Sequence, residues 1–89
     1  MFYMVIEHFN DRNPKPVYER FQNQGRMLPD GLKYISSWME TNYNRCFQLM
    51  ECGESSLLEA WTSRWSDLVN FEIVPVVTSS EAAEKILGS

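Results

Sequence analysis

The sequence predicts an α+β domain in which a four-stranded antiparallel sheet carries two helices on one face. Strand-like and helix-like segments follow one another in the order strand, helix, strand, strand, helix, strand. The last strand contains Pro75, which confines it to a sheet edge or a bulge because proline cannot donate a ladder hydrogen bond. Several strands are also apolar on both faces, so the sheet needs cover on two sides.

The first half of the chain predicts one strand, one helix and the start of an antiparallel pair. Residues 2–9 are rich in aromatic and β-branched side chains, as strands are. Pro14 and Pro16 suit a first helical turn, so we expect Asn13 to cap a helix. Residues 32–39 form the second strand. The apolar stripe of the helix comprises Val17, Tyr18, Phe21, Gly25 and Leu28.

The second half predicts two further strands and two helices. A polar loop at 40–44 leads into a strand at 45–51. The spacing of Ser56 and Glu59 predicts a capping box. A fourth strand follows at 71–77, and Thr78 with Glu81 predicts a second capping box for a short C-terminal helix. The apolar positions of the longer helix are Leu57, Leu58, Trp61, Trp65 and Leu68.

This βαββαβ order is the ferredoxin-like, or split βαβ, arrangement, whose usual strand order is 4-1-3-2. That order makes the fourth strand an edge, as Pro75 requires independently. With 89 residues the chain forms a single domain, 1–89, of a size at which self-association often supplements the hydrophobic core.

Both long helices would lie on one sheet face, leaving an apolar face without cover. We therefore expect a homodimer in which a second copy covers that face and forms a dimeric α/β barrel enclosing a cavity. We assign Phe47, Leu49, Phe71 and Ile73 to the helix side. Gln48 and Glu72 then point to the open face.

Composition excludes several partners. The net charge is −4 and the eight Lys and Arg residues are scattered, which argues against nucleic acid and anionic membrane surfaces. Cys46 and Cys52 lie six residues apart on extended chain, about 20 Å at strand rise, so they cannot pair within the strand. The sequence predicts free thiols in a cytoplasmic protein.

Candidate chemical residues gather where the ends of strands one and two meet the starts of strands three and four. Arg45 lies there beside residues that could line one pocket and bind a small polar molecule. His8 and Glu72 are the candidates for proton transfer, although His8 as a hydrogen-bonded strand end is the simpler interpretation. No metal or cofactor is expected. The predicted ligand-binding residues are Glu7, His8, Trp38, Cys46, Gln48 and Glu72.

Several motifs resemble a family of small bacterial proteins, the one numbered 3303 among the domains of unknown function. These motifs are Gly25-Arg26-Met27, Ser37-Trp38, the strand 45–51 and the run 61–76. The resemblance implies a dimeric α/β-barrel fold and supplies no activity or catalytic residues. The layout is more distantly similar to antibiotic-biosynthesis monooxygenase and stress-responsive barrel proteins, which pair two sheets around a pocket.

Three functions remain open. The first is a cytoplasmic homodimer that binds a small molecule. The second is an enzyme of the cofactor-independent monooxygenase or isomerase kind, in which His8 or Glu72 moves a proton. The third is a structural or regulatory interaction module whose sheet face is buried flat against a partner. Fold alone does not decide among them.

Overall fold

The computed structural model describes residues 1–88 and confirms the α+β class and the order of the elements. A 3₁₀ turn, Asn10–Arg12, joins the first strand to the first helix. The strands are β1 Phe2–Phe9, β2 Lys33–Met39, β3 Arg45–Glu51 and β4 Val69–Val76; the helices are α1 Lys15–Gln24, α2 Ser56–Ser63 and α3 Ser79–Leu87.

The four strands form one antiparallel sheet in the order β2-β3-β1-β4. Read from the β4 edge, this is the order 4-1-3-2. The central strands are β1 and β3, and Pro75 lies in the edge strand β4, where its nitrogen faces away from β1 and no ladder bond is lost. The strands nearest the middle therefore carry the residues that are most shielded from water.

The helix ends differ in part from expectation. Helix α1 begins at Lys15, so the residue immediately before it is Pro14 and not Asn13 as predicted. The Asn13 side chain still accepts a hydrogen bond from the Lys15 backbone N–H at 3.2 Å. The predicted capping box at Ser56 is wrong, because Ser55 precedes the helix in a helical conformation from which its hydroxyl makes no capping bond. Thr78 does cap α3, accepting from the Glu81 N–H at 3.0 Å.

Both long helices are shorter than their apolar patterns predict. Gly25 ends α1 with φ 69°, in the left-handed region that favours glycine, so Leu28 lies beyond the helix. Helix α2 ends at Ser63, and Trp65 and Leu68 follow in turns. Trp65 is nevertheless buried, because the turn folds back onto the sheet.

The strand register corrects our assignment of faces. Val5 lies opposite Gln48 and Ile73, and directly opposed residues point to the same face. Since Val5 is fully buried under the helices, Gln48 belongs to the helix side. Phe47 and Leu49 therefore point to the open face. The assignment was wrong for these three β3 residues and right for Phe71, Ile73 and Glu72 on β4.

Gln48 tolerates burial because both the nitrogen and the oxygen of its side-chain amide are hydrogen-bonded. Its Nε2 donates to the Glu7 carboxylate and its Oε1 accepts from Arg26 Nε at 3.3 Å. These bonds remove the cost of roughly 1 to 3 kcal/mol that an unsatisfied buried amide would carry. Within residues 1–88, no buried side-chain nitrogen or oxygen lacks a hydrogen-bond partner.

The hydrophobic core lies between the sheet and the two helices α1 and α2. A bidentate ion pair between Arg20 and Asp67 joins α1 to the turn after α2, with an N to O distance of 2.6 Å. The Arg20 guanidinium also lies over the Trp65 ring. The buried apolar residues are Val5, Phe9, Val17, Leu32, Met50, Cys52, Leu58, Trp61, Trp65 and Val69.

The opposite sheet face carries a group of apolar side chains but neither α1 nor α2. The Cα trace is 17 Å across in its smallest dimension, which fits one sheet and one helix layer. Helix α3 is exposed along its length except at Ala82. The apolar residues of this open face include Phe2, Met4, Ile6, Phe47, Leu49, Val74 and Val76.

None of the helices within residues 1–88 has the length and apolar character needed to cross a membrane.

The burial of Met50 predicts a large loss of stability on truncation. Met50→Ala should lower the free energy of unfolding by about 2 to 5 kcal/mol, because Met50 is fully buried and its truncation would leave a cavity in the core. Ile86→Ala, at an α3 position that is 77% exposed, should change it by less than about 0.5 kcal/mol. Urea denaturation measures both. Equal effects of the two substitutions would contradict this description of the core.

Candidate functional site

A cavity of about 90 Å³ lies between the helix side of the sheet and the helices. At roughly 10 to 15 Å³ per water-sized group, it holds about six to nine such groups, the size of a small organic molecule. Its lining combines polar side chains from the sheet with an aromatic wall. The lining residues are Glu7, Phe9, Val17, Tyr18, Phe21, Arg26, Ser37, Cys46, Gln48, Trp61, Trp65 and Phe71.

The cavity opens on the α1 side. Tyr18 and Phe21 are the most exposed of its lining residues, at 51% and 41%. Both lie on α1, whose inner residue Val17 is buried. On the opposite side Trp61 and Phe71 pack against each other with ring centroids 6.0 Å apart. A planar molecule could enter past α1 and rest against this inner aromatic pair.

Glu7 provides the buried carboxyl of the cavity. Its place on the central strand β1, between the buried Val5 and Phe9, leaves it only 6% exposed. Burial raises the pKa of the Glu7 carboxyl from 4.5 to about 7, although the positive charge of Arg26 opposes the rise. Near neutral pH this carboxyl is therefore present in both protonated and ionised forms.

Gln48 connects Glu7 to Arg26. An amide can bridge the two because its nitrogen donates to the carboxylate while its oxygen accepts from the guanidinium. Glu7 and Arg26 make no direct ion pair. The chain Glu7-Gln48-Arg26 thus keeps a carboxyl and a cation in one cavity without letting them neutralise each other by contact.

The backbone of Arg26 is held by two tryptophans. The indole N–H groups of Trp61 and Trp65 donate to the Arg26 carbonyl oxygen at 2.9 and 3.1 Å. Arg64 donates to the next carbonyl, that of Met27, whose φ of 58° lies in the left-handed region. These bonds fix the loop after α1 in the conformation that directs Arg26 toward the cavity.

Aromatic rings hold the Arg26 side chain. Its guanidinium carbon lies 3.6 Å from the Tyr34 ring centroid and 4.9 Å from that of Phe21. The Tyr34 hydroxyl in turn shares a 2.6 Å hydrogen bond with the Ser37 hydroxyl. Nε is bound to Gln48, and within residues 1–88 the two Nη groups have no hydrogen-bond partner. Arg26 is therefore rigidly placed with donors to spare.

Cys46 lines the cavity as a neutral thiol. Burial, together with the negative charge of Glu7, raises the pKa of Cys46 to about 11. Since the thiolate is the nucleophile, this environment suppresses cysteine chemistry at neutral pH. In the described part of the chain, His, Cys, Asp and Glu side chains form no group of three that could hold a metal ion.

The six residues predicted to bind a ligand are divided between the two sheet faces. Glu7, Cys46 and Gln48 line the cavity. His8 and Glu72 lie on the open face, with His8 Nε2 3.6 Å from Glu72 Oε1, and Trp38 is 54% exposed on the same face. The division follows from strand geometry, because successive side chains point to opposite faces. Ligand binding by any of them stays a prediction.

The residues that sequence reasoning missed are those that organise Arg26. Arg26 lies in a loop, and its partners Tyr34, Gln48 and Trp61 come 8, 22 and 35 residues later in the sequence. The helical pattern identified Trp61 and Trp65 only as apolar positions of the second long helix. The usable signal was that a buried indole N–H normally needs an acceptor, which two tryptophans four residues apart can share.

Comparison with protein families gives one result. The family model described as domain of unknown function (DUF3303) matches residues 1–88. The chain belongs to the DUF3303 family. A comparison with curated proteins finds no match. In this DUF3303 domain, Glu7 and Arg26 are the acidic and the basic residue among the cavity-lining residues of the described chain.

The buried carboxyl predicts an unusual pH dependence of stability. Below pH 4.5 Glu7 is protonated in folded and unfolded chains, and its contribution is fully present. As pH rises from 4.5 to about 7, only the unfolded chain releases the proton readily. The free energy of unfolding should fall by about 3 kcal/mol across this window and then level off.

Glu7→Gln should abolish this part of the pH dependence. The measurement is the difference in unfolding free energy between wild type and Glu7→Gln at a series of pH values, so that other titrating groups cancel. Glu54→Gln, at an exposed loop position, is the matched control and should retain the wild-type profile. A Glu7→Gln profile parallel to wild type would show that Glu7 titrates normally.

Proposed function

We propose that this protein is a homodimer whose subunits each bind a small molecule in the cavity between sheet and helices. The observation that carries the proposal is the Glu7-Gln48-Arg26 chain, which presents a carboxyl, an amide and a cation inside an aromatic cavity. A few convergent polar groups in a mostly apolar pocket are typical of ligand sites.

Packing requirements alone do not explain the hydrogen-bonded side chains of Glu7, Gln48 and Arg26. Burying ionisable groups is costly, and apolar residues of similar volume often stabilise a core as well or better. Here the ionisable groups line a cavity and are not packed into a filled core. The cavity is accessible from α1, where Tyr18 and Phe21 are exposed. A shifted carboxyl pKa in a cleft, with a specific charged partner, is a recognised sign of a functional site.

The open face supports the proposed homodimer. Seven apolar side chains of β1, β3 and β4 point away from α1 and α2, and α3 is too exposed to cover them. Stacking two copies of this face about 10 Å apart would bury both. The strand order, read from β4 as 4-1-3-2, supports a ferredoxin-like arrangement, and two such sheets face to face make a dimeric α/β barrel.

We also propose a cytoplasmic location. Cys46 and Cys52 are both free thiols, one half-buried and the other buried. Free cysteines without a disulfide partner suit a reducing compartment.

A second candidate is an enzyme that transfers a proton without a cofactor. A pKa of about 7 favours Glu7 as a general acid or base at neutral pH. The cavity geometry supports Glu7 for this role over His8 and Glu72, which lie on the other face. An enzyme of this kind would show activity that is lost in Glu7→Gln while small-molecule binding persists.

Binding of small aromatic fragments tests the proposed function. Phenol, benzoate and benzamide are suitable probes, because they are small and carry an aromatic ring that can pack against the aromatic wall of the cavity. At least one of them should change the intrinsic fluorescence of Trp61 and Trp65 and shift backbone amide resonances of residues that line the cavity. Glu54→Gln should bind as wild type does, and resonance shifts confined to the open face would contradict the proposal.

The open face predicts a dimer that a single charge disrupts. Leu49→Asp should give a folded monomer by light scattering and circular dichroism, because the carboxylate would be buried between two apolar faces. Tyr43→Asp, at a loop position that is 64% exposed, should remain dimeric. A wild-type protein that stays monomeric at high concentration would refute the dimer.

A further inference from the structure

Arg26 is prepared on three sides for a partner that the described chain does not contain. Its carbonyl is fixed by Trp61 and Trp65, its guanidinium plane is held against Tyr34, and its Nε is bound to Gln48. The two Nη groups remain without a hydrogen-bond partner within residues 1–88. Arginine presents these donors as a planar fork that matches the two oxygens of a carboxylate.

We propose that the cavity selects a small planar carboxylate, which the two Nη groups of Arg26 bind while its apolar body lies against the aromatic wall. The inference rests on the proposed binding function and names the ligand class. The fixed position of Arg26 favours tight binding, because little side-chain entropy is left to lose when the ligand arrives.

Charge favours a monoanion over a more highly charged ligand. Arg26 is the one basic residue among the cavity-lining residues of the described chain, and Glu7 opposes it. A phosphate group with about two negative charges would need further cations to offset its desolvation. A single carboxylate matches a single guanidinium, and the volume of about 90 Å³ leaves room for one small ring beside it.

Glu7 makes this selection dependent on pH. With Glu7 protonated the cavity carries the positive charge of Arg26, and with Glu7 ionised that charge is offset. Carboxylate affinity should therefore fall as pH rises through about 7. The other titratable groups facing Glu7 are Cys46 on β3 and Tyr18 on α1. Both have raised pKa values and stay neutral in this range, and α2 and β4 contribute only aromatic residues to the lining.

Benzoate and benzamide provide the test, because they are nearly identical in size and differ in charge. Titration calorimetry on the wild-type protein, at a pH below about 7, should show benzoate binding at least about tenfold more tightly. Arg26→Gln should remove this preference. Arg26→Lys should retain part of it, since an ammonium keeps the charge but loses the fork. Arg12→Gln, at an exposed position outside the cavity, is the matched control.

The outcomes separate this inference from the function on which it rests. Equal or tighter binding of benzamide to the wild-type protein would overturn the carboxylate selection while leaving small-molecule binding intact. Failure of phenol, benzoate and benzamide alike at millimolar concentrations would overturn both. The wild-type comparison remains decisive if Arg26→Gln does not fold. Benzoate affinity should weaken from one unit below to one unit above the Glu7 pKa of about 7, and Glu7→Gln should show no such change.

Discussion

Removing the Glu7 carboxyl from water is the constraint on which the rest of the site depends. A carboxyl that is 6% exposed on a central strand needs hydrogen-bond partners, and Gln48 on the neighbouring strand supplies one. Gln48 is oriented by Arg26, whose loop is fixed by the indole groups of Trp61 and Trp65. The site therefore extends from the middle of the sheet, through a loop, to helix α2 and the turn that follows it.

The two faces of the sheet are suited to different tasks. The helix side holds the cavity within a single chain, so the proposed ligand binding does not require residues from a partner. The open face carries apolar side chains such as Leu49 and Val74, together with the surface pair His8 and Glu72, and is the face of the proposed contact with a second copy. Because Gln48 lies on the helix side of β3, it belongs to the cavity and not to the proposed dimer interface. The residues proposed for ligand binding and those proposed for dimerisation therefore lie on different faces.

Much of the fold was predictable because local patterns specify it. Alternating and helical periodicities located the four strands and three helices, and Pro75 identified the edge strand. The face of β3 was not predictable, because both parities are apolar and register depends on pairing with β1. The burial of Gln48 depends on partners 41 and 22 residues away, Glu7 and Arg26, and no local pattern shows them. Glu7, Cys46 and Gln48 were identified as candidates, whereas the role of Arg26 required the folded loop.

The ionisation of Glu7 tests the central claim most directly. Carbon-detected NMR of the glutamate side-chain carboxyls, assigned by comparison with Glu7→Gln, follows each carboxyl through its own titration. A Glu7 carboxyl that titrates near pH 7, well above the value of 4.5 usual for glutamate, is the predicted result. A midpoint at the usual value would contradict the account, because it would mean that water reaches this carboxyl and that the cavity does not shield it.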